Sequence, residues 1–359
     1  MIKRLLTAAL TVIMLGGATA MAGSAPRKTR AGGASSAVTT VCTGPNGEWI
    51  KRGKSGIIVA RDSAGVVRAM SPAAGSEAMG RKYADALKLY ADSLKADGVR
   101  VYSLLAPSQG NYYMPDTIGC RGNEQRIILG TARMLRPDVT PVLVDSIFSR
   151  HLDEEIYSRT DHHWAPLGAY YAGEALARAA GVPFRPLSAY TTDTIPDYVG
   201  TMRMFSGINE LANYPENFVF YRPPEGYKSE FTVYKVANNK FVSEAEPREE
   251  EFFKEVKVPG AAYIAFMGGD YRAAKITDTG GPKGRKLLIV KDSYGNAMVP
   301  TLFGSFEEVH VADFRYFPHN LLEYVRRNGI TDLVFVNALS IGISPNAAKR
   351  FLKMLYEQK

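Results

Sequence analysis

Hydrophobic positions along the chain follow two spacings, one typical of buried strands and one typical of amphipathic helices. Short apolar runs rich in β-branched residues predict strands that are buried on both faces. Between these runs, apolar residues recur every three or four positions and predict helices. The predicted strands cover residues 56–60, 99–105, 141–145, 231–236, 287–290, 309–312 and 333–336, and the predicted helices cover 76–96, 123–135, 166–180, 320–328 and 348–355.

The alternation of strands and helices favours a parallel sheet that is covered by helices on both faces. The expected fold is therefore a three-layer α/β/α sandwich with a mainly parallel sheet. Its most strongly predicted helix has clear boundaries, since Pro166 suits a first helical turn and Gly181 suits a left-handed C-cap. From about 184 to 283 the alternation gives way to prolines, tyrosines and short alternating runs, which predict a β-rich insertion that shapes a substrate cleft.

The first residues have the layout of a secretory signal peptide. A basic start, Met1–Arg4, precedes an apolar run from Leu5 to about Ala18, and small residues then supply cleavage triplets. An uncleaved N-terminal anchor is the alternative. We expect export to the periplasm or cell envelope, with a signal peptide over 1–22, a disordered tether over 23–40 and one α/β domain over 41–359.

Composition narrows the class of protein further. Hydrophobic residues make up 46% and charged residues 22% of the 359 positions, so the whole chain is neither a membrane protein nor a disordered one. The net charge of +8 is scattered and no nucleic-acid-binding motif is present, so nucleic acid is not an expected partner. In an oxidising compartment Cys42 and Cys120 favour one disulfide, with two unpaired thiols as the alternative.

Ser293 is the candidate nucleophile. It directly follows an apolar strand, within the segment Lys291-Asp292-Ser293-Tyr294. Sites in parallel α/β sheets form beyond the carboxyl ends of the strands, and backbone amides at a helix start can stabilise an oxyanion. The alternative is a structural N-cap, because Asp292 and Ser293 are both favoured capping residues.

A second segment, Thr160-Asp161-His162-His163-Trp164, supplies the base that a serine nucleophile needs. Asp161 and His163 are two residues apart, so in an extended stretch their side chains point to the same side. The carboxylate would then orient the His163 imidazole, while His162 would face the other way and Trp164 would wall the site. We predict a Ser293–His163–Asp161 triad, with His162 and Trp164 in supporting or substrate-binding positions.

Two other interpretations of the histidine pair remain open. One is structural hydrogen bonding near a helix start, with Asp161 as the cap. The other is a metal site, although adjacent histidines on an extended chain diverge, which disfavours their binding one ion. We therefore expect no metal ion and no cofactor.

The run Arg159-Thr160-Asp161-His162-His163-Trp164-Ala165-Pro166-Leu167-Gly168-Ala169-Tyr170 resembles the signature of the DHHW protein family. Two later blocks also fit, 288–294 and 310–316, and the similarity extends from about residue 55 to the end. That family is in turn similar to the SGNH-hydrolase-like domain of alginate acetylation proteins, which carry a Thr-Asp-x-His-Trp and a later Gly-Asp-Ser segment. Lys291 stands where those proteins have Gly, and a side chain there would crowd or electrostatically tune the oxyanion site.

The resemblance implies an SGNH-like fold and a triad for O-acetyl transfer, with Asp161, His163 and Ser293 at the matching positions. The expected function is that of an O-acetyltransferase or acetylesterase acting on cell-envelope or exported polysaccharide. The expected partners are an acylated glycan and a membrane-bound acyltransferase that supplies acyl groups. The competing hypothesis is a catalytically inactive protein that binds glycan or assists envelope assembly through the same cleft.

Arg315 and Tyr316 complete the candidate site. Both follow the end of the predicted strand 309–312, so they are expected to line the substrate cleft. The alternative for Arg315 is a structural ion pair with Asp313 or another acidic residue.

Overall fold

The computed structural model of the protein describes residues 38–119 and 121–356. The predicted signal peptide and nearly all of the predicted tether lie outside these residues, as does Cys120. Cys42 is exposed, and its pairing with Cys120 stays a prediction. Among the helices that the structure describes, none combines the length and apolar character needed to cross a bilayer.

The described part of the chain forms a mixed α/β fold with three sheets. The strands are β1 (Thr39–Thr43), β2 (Trp49–Arg52), β3 (Ile58–Arg61), β4 (Val67–Met70), β5 (Arg100–Ala106), β6 (Thr140–Pro141), β7 (Thr191–Tyr198), β8 (Glu216–Arg222), β9 (Lys228–Ala237), β10 (Lys240–Glu244), β11 (Arg248–Glu249), β12 (Arg272–Thr277), β13 (Lys286–Lys291), β14 (Glu308–Asp313) and β15 (Asp332–Ala338).

Short and long helices alternate with these strands. They are α1 (Glu77–Leu94), α2 (Gly110–Tyr113), α3 (Asn123–Leu135), α4 (Asp145–Phe148), α5 (Pro166–Ala180), α6 (Met202–Ser206), α7 (Tyr294–Met298), α8 (Leu321–Asn328), α9 (Leu339–Gly342) and α10 (Pro345–Tyr356). A 3₁₀ helix over Pro259–Ala265 also approaches the candidate site.

The largest sheet has the strand order β10-β9-β12-β14-β13-β15-β5-β6, with β11 paired to β9. From β14 to β6 neighbouring strands are parallel, whereas β12, β9 and β10 extend the sheet in antiparallel register. The carboxyl ends of β13, β14, β15 and β5 therefore lie along one edge, where polar side chains from different strands can meet. Four antiparallel strands, β1 to β4, form a second sheet, and β7 pairs with β8.

The buried strands of the large sheet supply hydrophobic residues to both of its faces. In β13, Leu287 and Ile289 belong to one core cluster, and Leu288 and Val290 belong to another. This division follows from the two-residue period of a strand, which sends successive side chains to opposite faces. Helix α5 packs into the first cluster, whereas α1, α3, α8 and α10 contribute to the second.

Several local predictions are confirmed. Helix α3 spans the predicted 123–135. Helix α5 starts at Pro166 and ends at Ala180, and Gly181 is its C-cap, with a left-handed backbone. The predicted strand over 141–145 is wrong for most of its length, because β6 ends at Pro141 and α4 begins at Asp145. Pro141 lacks the N–H that a longer ladder needs, which suits a short edge strand.

The segment expected to be an insertion, about 184–283, takes part in the large sheet. Strand β12 pairs with β14 on one side and with β9 on the other, so this segment extends the sheet beyond its parallel portion. The remainder of the segment includes the antiparallel pair β7–β8 and the 3₁₀ helix over Pro259–Ala265. Its route along the sheet brings it to the same edge as the carboxyl end of β13.

Gly168 in α5 tests how closely this helix packs on the backbone of Ile156. A Cβ atom at this position would lie 2.2 Å from the Ile156 carbonyl oxygen. We expect Gly168→Ala to lower the free energy of unfolding by about 1–3 kcal/mol, because a backbone atom has to move. Denaturant unfolding measures the change.

Gly130 in α3 is the matched control, because an added Cβ would lie 3.6 Å from the nearest atom, in the flexible Glu77 side chain. Gly130→Ala is expected to raise the free energy of unfolding by about 0.5–1 kcal/mol through helix propensity. Equal effects of the two substitutions would contradict the packing argument.

Candidate active site

Ser293 occupies the turn between β13 and α7. The side chain of Asp292 caps this turn, since its Oδ1 accepts a hydrogen bond from the Tyr294 amide at 3.0 Å and its Oδ2 accepts one from the Ala338 amide at 3.0 Å. Ser293 makes no capping hydrogen bond of its own. The capping role considered for Ser293 therefore belongs to Asp292, and the Ser293 hydroxyl is left for other contacts.

A buried carboxylate holds the residues that precede Asp161. Glu216 in β8 accepts hydrogen bonds from the Ser158 hydroxyl, the Arg159 amide, and both the amide and the hydroxyl of Thr160, at 2.5–2.9 Å. Gln109 holds the next carbonyl, as its side-chain amide donates to the Asp161 oxygen at 2.9 Å. These contacts fold the segment into bends, so the extended conformation predicted for it is wrong.

Asp161, His163 and Ser293 form a continuous chain of hydrogen bonds. The His163 Nδ1 lies 2.5 Å from Asp161 Oδ1, and the His163 Nε2 lies 2.7 Å from the Ser293 Oγ. Asp161 and His163 are buried, whereas Ser293 is partly exposed. The two ring nitrogens of His163 thus contact a carboxylate on one side and a hydroxyl on the other, which is the arrangement that activates a serine.

The other oxygen of Asp161 is also occupied. Its Oδ2 accepts hydrogen bonds from the amide and the hydroxyl of Thr201, both at 2.7 Å. Burial raises the pKa of Asp161, but the charges of His162 and His163 and these hydrogen bonds outweigh it and hold the pKa well below the usual range. Asp161 is therefore a carboxylate, with its lone pairs oriented by neighbours on both sides.

The extended conformation predicted that His162 faces away from His163, and this is wrong. The two ring centroids are 3.8 Å apart, because the bend brings adjacent side chains together. His162 Nδ1 lies 2.8 Å from the Thr201 hydroxyl, and its side chain is 33% exposed. Burial, followed by the charge of His163, lowers the pKa of His162 to about 4, so its imidazole is neutral at pH 7.

Tyr263 is a site residue that the sequence did not reveal. Its ring stacks on the His163 imidazole, with centroids 3.8 Å apart and planes 8° from parallel. Tyr263, Thr201 and Asp270 all come from the segment 184–283, and no local motif marks any of them. The position of this segment beside β13 is what brings them to the site.

Trp164 and Tyr316 are not cleft residues, which corrects the expectation that they bind substrate. Trp164 is fully buried, and its indole N–H donates to the Tyr294 carbonyl at 2.9 Å. Tyr316 is 4% exposed and packs against Tyr271 in the core. Trp164 supports the Ser293 turn from within, because it bonds to the residue that follows the serine.

Lys291 and Arg315 belong to a group of four charges, of which Lys291 and Asp313 are buried and Arg315 and Asp270 are partly exposed. The Lys291 ammonium lies 2.9 Å from Asp313 and 3.4 Å from Asp270, and the Arg315 guanidinium lies 2.7 Å and 2.8 Å from the same two carboxylates. The ion pair considered for Arg315 is thus present. Lys291 is fully buried, and a buried charge needs partners of opposite sign. The two carboxylates supply them beneath the Ser293 turn. Asn296, in the first turn of α7, also donates to Asp270, at 2.9 Å.

Asp161, His162 and His163 also have the spacing of a possible metal site, with one ligand atom from each lying within 4.8 Å of the others. Their Nδ1 and carboxylate atoms are already joined by hydrogen bonds to one another and to Thr201. Asp161 and His163 would have to give up such contacts to bind an ion, because the other ring nitrogen of His163 lies 2.7 Å from the Ser293 Oγ. The arrangement therefore fits a hydrogen-bonded relay better than a set of open metal ligands.

Comparison with known proteins gives a consistent picture. The profile of the DHHW protein family matches residues 55–312. A DHHW family protein from Eubacterium siraeum is 33% identical, with a TM-score of 0.76 over 85% of this chain and 97% of that one. Bacillus cereus PatB1 with a sulfonyl adduct is 19% identical, with a TM-score of 0.64 over 84% of this chain and 98% of that one.

The O-acetyltransferase domain of Pseudomonas putida AlgJ is also similar, at 14% identity and a TM-score of 0.42, over 87% of this chain and 94% of that one. Among curated protein sequences, none matches this chain.

Removal of Lys291, the buried cation of the four-charge group, tests what the group contributes to stability. Lys291→Met leaves two carboxylates beside one guanidinium, so we expect the free energy of unfolding to fall by about 3–5 kcal/mol. Denaturant unfolding of the purified protein measures the loss. The double variant Lys291→Met/Asp270→Asn restores charge balance and should recover part of it.

Lys283→Met is the matched control for this prediction. The Lys283 side chain is 89% exposed, and its Nζ lies 3.1 Å from Glu307, so the change should stay within about 0.5 kcal/mol. A Lys291→Met protein as stable as the control would show that the charge group does not stabilise the fold.

The His162 imidazole should titrate near pH 4, below an ordinary histidine. A folded-state pKa below the unfolded value means that protonation favours unfolding, so this group's contribution to stability declines as the pH falls from about 6.5 to 4. NMR titration of the ring protons, assigned with His162→Asn, measures it. Titration near pH 6.5 would contradict the burial and charge argument.

Proposed function

The chain belongs to the DHHW protein family, and we propose that it is an extracytoplasmic, SGNH-like acyl-ester enzyme acting through Ser293, His163 and Asp161. The observation that carries the proposal is the unbroken pair of hydrogen bonds from Asp161 through His163 to Ser293. A base oriented by a carboxylate and bonded to a hydroxyl is the arrangement that serine acyl transfer requires.

In the proposed reaction the Ser293 oxygen attacks the carbonyl carbon of an ester. His163 takes the hydroxyl proton and returns it to the leaving alkoxide, while Asp161 holds the imidazole tautomer and stabilises the imidazolium. The Ser293 amide, at the start of α7, donates to the oxyanion. The resulting acyl-enzyme passes its acyl group to an alcohol or to water.

The fold and the site support this proposal in different ways. The parallel strands β14, β13, β15 and β5, with hydrophobic clusters on both faces, are consistent with a three-layer α/β/α sandwich of the SGNH type. The likeness to PatB1 bears on the fold. The position of Ser293 beyond the carboxyl end of β13 is where such a fold places chemistry.

For the biological substrate we propose an acetylated polysaccharide of the cell envelope or an exported polysaccharide. The signal-peptide layout of residues 1–22 supports a location in the periplasm or the envelope. An enzyme outside the cytoplasm needs a source of acetyl groups there, and we propose that a membrane-bound acyltransferase partner supplies them. Both O-acetyl transfer and ester hydrolysis can proceed from one acyl-enzyme.

Turnover of a small acetyl ester tests the proposal. We expect wild-type protein to hydrolyse p-nitrophenyl acetate, and Ser293→Ala and His163→Ala each to lower kcat/KM by at least about 10³-fold. A sulfonyl fluoride should form a covalent adduct with wild type and none with Ser293→Ala. Mass spectrometry of the intact protein measures the adduct.

The control variant is His319→Asn, which removes an exposed imidazole paired with Glu244 and should leave turnover unchanged. Equal turnover by wild type and Ser293→Ala would end the nucleophile assignment. Activity lost to a chelator and restored by zinc would instead assign the Asp161–His162–His163 cluster to a metal. No turnover together with retained glycan binding would support the inactive, glycan-binding alternative.

A further inference from the structure

His162 has one ring nitrogen that the hydrogen-bonded relay does not use. The Thr201 hydroxyl has a single hydrogen, which it donates to Asp161 Oδ2. The same oxygen lies 2.8 Å from His162 Nδ1, so it accepts a hydrogen bond from an Nδ1–H. The neutral imidazole then carries a lone pair on Nε2. Within residues 38–119 and 121–356, no side chain or amide donates to that nitrogen.

The surroundings of His162 define what can approach its Nε2. The ring packs against His163 at 3.8 Å between centroids and against Phe205 in α6 at 5.7 Å, and its side chain is 33% exposed. Arg315, whose charge reaches His162, is already paired with Asp270 and Asp313. A ligand that approaches His162 thus meets a hydrogen-bond acceptor, Nε2, and the aromatic ring of Phe205. The nearby cation, Arg315, is neutralised by its carboxylate partners. These surroundings suit an uncharged cyclic alcohol, whose hydroxyl donates to Nε2 and whose C–H groups pack on the aromatic ring.

We propose, as an extension of the acyl-enzyme function proposed above, that His162 binds the acyl acceptor and that this acceptor is a neutral sugar with hydroxyls on adjacent carbons. One hydroxyl donates to His163 Nε2 and reacts. The neighbouring hydroxyl donates to His162 Nε2. The close packing of the two imidazoles suits two hydroxyls that are separated by one carbon–carbon bond.

The transfer step is balanced within these residues. The reacting hydroxyl oxygen attacks the acyl carbon of the Ser293 ester, and His163 Nε2 takes its proton. The bond between the acyl carbon and Ser293 Oγ breaks, and the Ser293 oxygen receives the proton from His163. The products are an acylated sugar and free Ser293. Water lacks the neighbouring hydroxyl that His162 binds, so His162 favours transfer over hydrolysis.

The experiment measures how the acetyl group is divided between an alcohol and water. With p-nitrophenyl acetate as donor, trans-1,2-cyclohexanediol and cyclohexanol are compared as acceptors, and the acetylated alcohol and free acetate are quantified by NMR. We expect the ratio of acetylated alcohol to free acetate in wild type to be roughly fivefold higher with the diol than with cyclohexanol, after correction for the two equivalent hydroxyls of the diol. A factor of this size is what one hydrogen bond, here to His162 Nε2, contributes. Both products arise from one acyl-enzyme, so their ratio is independent of the acylation rate.

Two substitutions separate the two nitrogens of His162. His162→Asn keeps a donor near the Nδ1 position and removes the Nε2 acceptor, so the preference for the diol should disappear. His162→Gln places an amide oxygen near the Nε2 position and should retain part of the preference. His319→Asn is the matched histidine control and should preserve the wild-type ratio. Circular dichroism confirms that each variant is folded.

The outcomes distinguish this inference from the function on which it rests. Wild-type turnover without a diol preference, or an unchanged preference in folded His162→Asn, overturns the role of His162 and leaves the serine mechanism standing. Ester hydrolysis with no transfer to either alcohol also overturns it and identifies an esterase. Absence of any Ser293-dependent turnover overturns both. If His162→Asn does not fold, the acceptor comparison in wild type and the preference measured in His162→Gln still test the role of His162.

Discussion

The buried carboxylate of Asp161 is the contact on which the arrangement of the site depends. One oxygen meets the imidazole and the amide of His163, and the other receives two hydrogen bonds from Thr201, so both oxygens have partners within the protein. A buried carboxylate without such partners would be costly, whereas one with them orients everything it touches. Gly200 makes this possible, because a Cβ atom there would lie 2.4 Å from the Asp161 Cβ.

Three parts of the chain that are remote in sequence converge on this carboxylate. The bend at 158–163 supplies Asp161 and the histidines, the turn after β13 supplies Ser293, and the segment 184–283 supplies Thr201 and the stacked ring of Tyr263. Glu216, from the same segment, holds the bend through four hydrogen bonds. The segment that looked like an appended insertion is therefore part of the machinery that aligns the relay.

The two cations nearest Ser293 are paired within the protein. Lys291 and Arg315 are matched by Asp270 and Asp313, and the His162 imidazole is neutral at pH 7. The lysine at position 291 therefore does not present a free cation to the cleft. Its side chain passes beneath the turn, where Gly295 leaves room for it, since a Cβ atom at residue 295 would lie 2.5 Å from the Lys291 Cβ. The absence of a side chain at Gly295 and the pairing with two carboxylates accommodate the Lys291 side chain.

The sequence by itself determined many of the elements and pointed to the three residues that the hydrogen bonds join. Strand and helix periodicity is local, so β13, β14, β15, α3 and α5 could be located from spacing, and the motifs marked Asp161, His163 and Ser293. Tertiary structure decided which neighbours these residues have. The bend that turns His162 onto His163 depends on Glu216, more than fifty positions away, and Tyr263 and Asp270 reach the site through strand pairing. The burial of Trp164 and Tyr316 likewise depends on packing between elements. Periodicity encodes which face of an element is apolar, whereas contacts between distant elements arise only when those faces pack together.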